Sequence, residues 1–361
     1  MITKFRVLRD EKPEIFAGKR VLLRLDLNLP LKDGLVADDY RLRRSLPTLD
    51  FLRRAGAKII ALSHLSDVNA SLKPIAEYLN SKFMPGIEVL ENLRRDPGEE
   101  KNSAELAKRL AQLGEVFVND AFSTSHRKHA SIVSLPSLLP SYAGLLFEEE
   151  VKNLSRLFEA AHPFVVVLGG LKFSTKLPLV QRFLEIADQI FIGGALAHSF
   201  FKELGYEIGR SAIDENTQVV RPLLENKKII LPEDVLVENG QRQISVKNVR
   251  RVLVEDKIVD CGPEFLKKIE AAVGLAKTLL WNGPLGNFEA GFAQGTEKLA
   301  ELISHSSAFS VVGGGDTIAA ISRLNLFEKF GFVSTGGGAM LDFLATGTLP
   351  GIEALSSRDP S

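Results

Sequence analysis

The pattern that most limits the fold is a strand–glycine–helix unit that occurs twice between Phe309 and Leu344. A short apolar run of β type (F-S-V-V, then F-V-S) leads into Gly313-Gly314-Gly315-Asp316-Thr317 and then into Ser334-Thr335-Gly336-Gly337-Gly338. A helical pattern follows each time. Glycines at such a turn let backbone N–H groups approach an anion, and the helix N-terminus adds partial positive charge. Asp316 stands where a carboxylate can hold magnesium bridging phosphate groups. One such turn reads equally well as tight packing. Two in one stretch, one bearing an acid, favour a nucleotide phosphate site. Neither turn fits the pattern G-x-x-x-x-G-K-S/T, and no G-x-G-x-x-G occurs in the chain, so this is a phosphate site of another design.

Strand and helix patterns alternate through the rest of the chain, which predicts an α/β fold on mostly parallel, doubly wound sheets. Strands are expected at Val21–Leu25, Lys58–Leu62, Val116–Val118, Phe164–Leu168 and Thr278–Trp281, with a shorter one at Ile229–Leu231. In open α/β sheets ligands bind beyond the carboxyl ends of the strands. Those ends carry Asp26 and Asn28, His64, Arg94, and His126 with Arg127. Arginine binds carboxylate and phosphate oxyanions bidentately, so the set suits a small phosphorylated carboxylate. Read alone, Arg41, Arg43, Arg44, Arg53 and Arg54 form a solvated helix face, and Pro47 interrupts that helical pattern. The H-x-x-H spacing of His126 and His129 would suit zinc, but no third ligand has a suitable spacing and Arg127 would repel a cation. The segment V-E-N-G-Q-R-Q-I-S-V-K-N-V-R-R offers no clear pattern, and Asp260-Cys261-Gly262-Pro263 reads as a loop.

At 361 residues the chain has room for two domains, each with its own core. Its formal net charge is zero, so neither nucleic acid nor an anionic membrane is an expected partner. Cys261 is the single cysteine, so no intrachain disulfide forms, and a buried structural thiol is expected there. The N-terminus lacks the apolar core of a signal peptide, and no apolar run reaches the roughly 18 residues of a membrane helix. A cytoplasmic monomer is expected.

R-V-L-L-R-L-D-L-N-L-P, D-D-Y-R-L-R, S-H-L, E-N-L-R and V-N-D-A-F-S-T-S-H-R-K-H-A-S resemble phosphoglycerate kinases in order and spacing. L-G-G-L-K-F-S-T-K, I-G-G-A-L-A, W-N-G-P-L-G-N-F-E, V-G-G-G-D-T and S-T-G-G-G-A continue the match over nearly the whole chain. The resemblance implies two doubly wound, Rossmann-like domains facing a cleft. Residues 1–147 with the returning tail 346–361 would hold 3-phosphoglycerate. Residues 148–161 would form a hinge helix, and 162–345 would bind Mg2+ with ATP or ADP. The reaction implied is reversible phosphoryl transfer from 1,3-bisphosphoglycerate to ADP.

Carried over onto matching positions, Asp26, Asn28, Arg41, His64, Arg94 and Arg127 resemble the triose-binding groups, with Arg41 also meeting the transferring phosphoryl group. Lys172 and Lys176, solvated lysines if read alone, are similar to the family's phosphate and transition-state lysines. Gly193, Gly194, Asn282, Glu289 (on the ribose hydroxyls), Gly313, Gly314, Gly315, Asp316 (on the metal) and Thr317 resemble nucleotide-side groups. Gly315 and Gly338 would supply catalytic backbone N–H groups. The chain departs from the family's S-H-L-G-R-P, which reads Ser63-His64-Leu65-Ser66-Asp67-Val68 here. Leu29, Leu171, Thr175 and Ala195 are further departures, bearing on triose affinity or nucleotide packing. Two rival readings are a family-like binding protein without activity and a dinucleotide oxidoreductase. The second needs the G-x-G-x-x-G turn that the sequence lacks.

Overall fold

The computed structural model describes residues 5–356. Residues 1–4 and 357–361, which belong to the segments assigned above to the triose-binding domain, lie outside the described residues. The chain divides into two compact units, one running to Ser155 and resuming at Gly338, the other spanning Arg156–Gly337.

In the first unit, β1 (Arg20–Arg24) lies at the centre of a parallel sheet with β2 (Lys58–Leu62), β3 (Glu88–Val89), β4 (Val116–Asn119) and β5 (Ser141–Ala143), in the order β3-β2-β1-β4-β5. Val21, Leu22 and Leu23 are fully buried, as expected for a parallel strand covered on both faces. Helix α1 (Tyr40–Arg54) runs unbroken through Pro47. An interior proline costs about 3 kcal/mol. Complete burial of Leu42, Leu49 and Leu52 in the core offsets it at about 1.5–3 kcal/mol per side chain. Helices α2 (Lys73–Lys82) and α3 (Ala104–Ala111) follow β2 and β3. Arg24 is level with Leu62 on one side and Asn119 on the other, so Asp26, His64 and Asp120 leave the sheet along one edge. The strand order reverses at β1, so that edge is a topological switch point.

Helix α4 (Leu145–Ser155) starts where Asp120 Oδ1 accepts from the backbone N–H groups of Leu146 (3.0 Å) and Phe147 (3.2 Å). A single hinge helix is expected over 148–161. Instead the α-helix ends at Ser155, a 3-10 turn covers Arg156–Glu159, and the unit boundary falls between them.

The second unit is built on β6 (Phe164–Leu168), followed by α5 (Leu177–Ile186), β7 (Gln189–Ile192), α6 (Gly194–Glu203) and β8 (Ile229–Ile230). The uninformative stretch and the expected loop at Asp260 are in fact a three-stranded antiparallel sheet. It comprises β9 (Asp234–Glu238), β10 (Ile244–Asn248) and β11 (Lys257–Cys261), with β9 in the middle. Asp260 is therefore strand-bound and buried; it accepts from Gly295 N–H at 2.9 Å. Then come α7 (Pro263–Leu275), β12 (Thr278–Asn282), α8 (Gln294–Ser304), β13 (Phe309–Gly313), α9 (Gly315–Arg323) and β14 (Phe332–Val333). The main sheet is wholly parallel, in the order β8-β7-β6-β12-β13-β14, so the strand order reverses between β6 and β12. Leu168, Asn282 and Gly313 are level, which brings their glycine turns out side by side. Helices α10 (Gly337–Thr346) and α11 (Pro350–Ser356) return the chain to the first unit, where Gly351 N–H donates to the Ser125 carbonyl at 2.9 Å.

Candidate active site

At the switch point of the first unit, Arg41 Nη1 lies 3.1 Å from Asp26 Oδ2 and donates to the Asn28 carbonyl at 3.4 Å. The same Asp26 Oδ2 accepts from Ser123 Oγ. Asn28 clasps Ser66: its Nδ2 donates to Ser66 Oγ at 3.0 Å and its Oδ1 accepts from Ser66 N–H at 3.1 Å. Arg94 leaves a 3-10 turn at the end of β3 and lies 3.2 Å from Glu100. Arg127 is exposed, with Nε 3.4 Å from His126 Nε2. His64 is buried, and burial, reinforced by the Arg24, Arg94 and Arg127 charges, pushes its pKa down to about 2, so the ring is neutral. Arg94 also senses Arg127 and Asp26. All six triose candidates thus share one cationic neighbourhood. Asp67 is exposed, and its carboxylate accepts from Asn69 N–H at 2.9 Å; Leu29 is buried in the core.

Two residues that the sequence reading passed over build this edge. Asn92 Oδ1 accepts from Leu65 N–H (3.1 Å) and Arg94 N–H (3.2 Å), while its Nδ2 donates to the Asp67 carbonyl (2.9 Å). It ties the His64 loop to the Arg94 turn. Buried Asn119 accepts from Ala121 N–H (3.0 Å) and donates to Ser125 Oγ (3.1 Å), shaping the loop that carries Arg127. An asparagine at a strand end is the only sequence signal for either.

In the second unit the level strand ends interlock through backbone. Gly169 N–H donates to the Asn282 carbonyl and Gly170 N–H to the Pro284 carbonyl, both at 2.9 Å. A Cβ at Gly169 would lie 2.0 Å from the Pro284 oxygen, so no larger residue fits. Asn282 Nδ2 donates to the Gly313 carbonyl (2.8 Å), and Thr317 Oγ1 accepts from Gly283 N–H (2.9 Å). These two buried side chains hold the glycine turns in register. Gly314 has φ +109°, open to glycine but strained for other residues, and space around Gly315 is clear at the N-terminus of α9.

Lys176 caps α5 and is buried, with its Nζ 3.3 Å from where a Gly170 Cβ would stand. Among the described residues no carboxylate lies within 4.0 Å of it. Burial lowers its pKa, and Asp316 opposes that shift from further away. Lys172 is exposed, and its carbonyl accepts from Thr175 Oγ1 at 2.9 Å. A cavity of about 290 Å³ opens beside these groups, lined by Gly170, Gly194, Ala195, Pro284, exposed Glu289 and half-buried Asp316. Its inner wall includes Phe201, Val235, Val259 and Leu285, an apolar slot with a polar rim. Trp281 is core, its Nε1 donating to the Gly283 carbonyl. Among the described residues no three His, Cys, Asp or Glu side chains gather to hold a metal. A lone Asp316 still suits magnesium, which takes one or two carboxylates and completes its shell with phosphate oxygens and water.

The sequence profile of the phosphoglycerate kinase family matches residues 12–89 and 84–347. The chain belongs to the phosphoglycerate kinase family. It is 43% identical to the phosphoglycerate kinase of Thermus thermophilus, over 97% of this chain and 99% of that one. It is 41% identical to that of Coprothermobacter proteolyticus, over 98% and 99%. Among solved structures, phosphoglycerate kinase from Coxiella burnetii superposes with a TM-score of 0.85 at 36% identity, over 98% of this chain and all of that one. The Pyrococcus horikoshii enzyme gives 0.83 at 30%, over 98% of each.

Within this phosphoglycerate kinase fold, Gly338 groups with the first unit, and a Cβ there would lie 3.8 Å from His126 Nε2. Asp214, which the sequence reading did not single out, accepts from Ser174 N–H (3.0 Å) and Ser174 Oγ (3.1 Å), pinning the loop between Lys172 and Lys176.

Proposed function

We propose that these two strand-end sites carry out the phosphoglycerate kinase reaction, with 3-phosphoglycerate held by the first unit and ATP or ADP by the second. Asp26, Asn28, Arg41, His64, Arg94 and Arg127 bind the triose, and Arg41 also meets the phosphoryl group in transit. Lys172, Lys176 and the N–H groups of Gly313, Gly314 and Gly315 face the nucleotide phosphates. Gly193 and Gly194 border the base slot, Asn282 and Thr317 shape the phosphate turn, and Glu289 meets the ribose hydroxyls. Asp316 would hold magnesium, which supplies charge neutralisation on the phosphate oxygens when bound.

The observation that carries this reading is Lys176: an ammonium buried at a glycine-walled strand end without a carboxylate in ion-pair range. A buried charge without a partner is costly, and an anion at the Gly170 turn would relieve it. The carboxylate that leaves or attacks is a weak base, so no strong general base is required. Catalysis rests on in-line placement and on charge set against the transferred oxygens, with Arg41, Lys172, Lys176 and the Gly315 and Gly338 N–H groups as donors. With acceptor and donor on separate units, transfer requires those units to be brought together around the α4 segment and the Gly337–Gly338 joint. The reading includes a monomer working in the cytoplasm, supported by the neutral net charge and the buried, unpaired Cys261.

The test is ATP-dependent phosphorylation of 3-phosphoglycerate by the purified protein, with and without magnesium, over a wide triose range. Magnesium-dependent turnover with a raised KM for the triose supports the reading and ties weak binding to the Asp67 loop. No turnover while ADP still binds would overturn it in favour of a silenced relative.

A further inference from the structure

Behind the triose groups the first unit buries a second layer of charge that no role above uses. Arg24 and Glu99 are both fully buried. Arg24 Nε donates to Ser131 Oγ at 3.0 Å, and Ser131 Oγ donates to Glu99 Oε1 at 2.6 Å. Ser131 N–H donates to Glu99 Oε2 at 3.0 Å. On the other side of the guanidinium, Nη1 donates to the Leu25 carbonyl, and Nη2 lies 3.1 Å from His64 Nδ1. A chain of contacts therefore runs from Glu99 through Ser131 and Arg24 to the imidazole at the site.

The direction of the last contact follows from valence. A guanidinium offers donors and no acceptor, so His64 Nδ1 must present its lone pair to Arg24. The ring is neutral, since burial and the charges of Arg24, Arg94 and Arg127 all oppose a second proton. Its single proton therefore sits on Nε2. We propose that Arg24, braced by Ser131 and Glu99, is a positioning residue that locks His64 as the Nε2–H tautomer. The imidazole then offers a triose oxyanion a hydrogen-bond donor. The opposite tautomer would turn a lone pair towards that oxyanion and repel it. Glu99 compensates the buried guanidinium, and the intervening Ser131 sets its orientation, which a bare ion pair would fix less well.

This inference rests on the assignment of His64 to the triose, but its test does not depend on turnover. In protein carrying 15N-labelled histidine, long-range 1H–15N spectra recorded without substrate identify which His64 nitrogen is protonated. The expected result is Nε2–H in the parent protein and a shift towards a mixture with Nδ1–H in Ser131→Ala, which removes the bracing hydroxyl at little change in volume. In kinetics, Ser131→Ala should raise KM for 3-phosphoglycerate about five- to tenfold, the scale of one ordinary hydrogen bond, with kcat and ADP affinity within about twofold. Arg24→Lys, which keeps the charge but loses the fork, should move the same ring signals. A His64 protonated on Nδ1 in the parent, or Ser131→Ala and Arg24→Lys with His64 signals and KM unchanged, would overturn the lock.

Discussion

Arg41 Nη1 and Asp26 Oδ2 stand 3.1 Å apart, and the same nitrogen reaches the Asn28 carbonyl at 3.4 Å. Arg41 springs from the first turn of α1 and is thus drawn against the end of β1 before any ligand arrives. Its side chain is 36% exposed, so it adds little to stability and remains able to meet an incoming phosphoryl group. Arg41→Ala should leave ADP affinity unchanged and lower kcat roughly 10²–10³-fold, the usual loss for one donor at a developing charge. Steady-state kinetics beside ADP titration check it; near-normal kcat would remove Arg41 from the transfer step.

Lys176 lends itself to a stability measurement. Its folded pKa is lowered, chiefly by burial. Between the folded pKa and the ordinary lysine value, the unfolded chain binds more protons, so the group's destabilising effect fades as pH rises through that window. Lys176→Met keeps the apolar stem and removes the charge. The variant should melt about 2–4 °C above the parent at pH 7, with the gap closing towards pH 10, and should bind ADP much more weakly. Thermal melts at both pH values decide it: a variant less stable at pH 7 would mean that the ammonium is satisfied in the apo fold.

Much of this architecture was legible because its signals are local. An apolar run that stops at a polar pair marks a strand end, and Lys58–Leu62 and Phe164–Leu168 form strands over the residues predicted. Asp26, Asn28, His64, Arg94 and Arg127 stand out because they follow such ends, whereas Arg41, on α1, and Lys172 and Lys176 take their roles only from the family resemblance. What stayed hidden depends on partners distant in sequence. Arg24 meets Ser131 across 107 positions, and Asn92 holds the Asp67 loop across 25; a single arginine or asparagine announces neither. The β9–β11 sheet escaped for a different reason. Its edge strand β10 alternates apolar and polar only over Ile244–Lys247, within an otherwise polar stretch, and Ile244, Ser245 and Val246 are all exposed, so no longer apolar face marks it as a half-buried strand.

Cys261 reports on how firmly β11 is held. Burial pushes its thiol well above the ordinary value, and the neighbouring Asp260 carboxylate adds to the shift. A thiolate is the reactive form. Cys261 in the folded protein should therefore resist iodoacetamide at pH 8, with and without nucleotide, and react fully in denaturant. Mass spectrometry of the alkylated protein checks it; rapid labelling in the native state would mean that β11 opens readily.

Asp120 couples stability to pH in the opposite sense to Lys176. It is fully buried at the end of β4, and burial raises its pKa to about 7, opposed by the nearby Thr48 and Ser45 hydroxyls and by the Leu146 and Phe147 N–H groups, which donate to Oδ1. An acid whose folded pKa lies above its unfolded one is most stabilising below the unfolded value. That stability is lost as pH rises through the folded pKa. The wild-type first unit should therefore weaken between about pH 4 and pH 7–8. Thr48 hydroxyl and the first turn of α4 meet at this carboxyl, with Leu145 N–H donating to Thr48 Oγ1 at 2.9 Å, so α4 loosens with it. Asp120→Asn mimics the protonated form and cannot ionise. Its stability relative to wild type, from urea midpoints, should rise by about 1–3 kcal/mol between pH 5 and pH 8. Parallel stability curves for the two proteins across that range would show that Asp120 keeps one protonation state throughout.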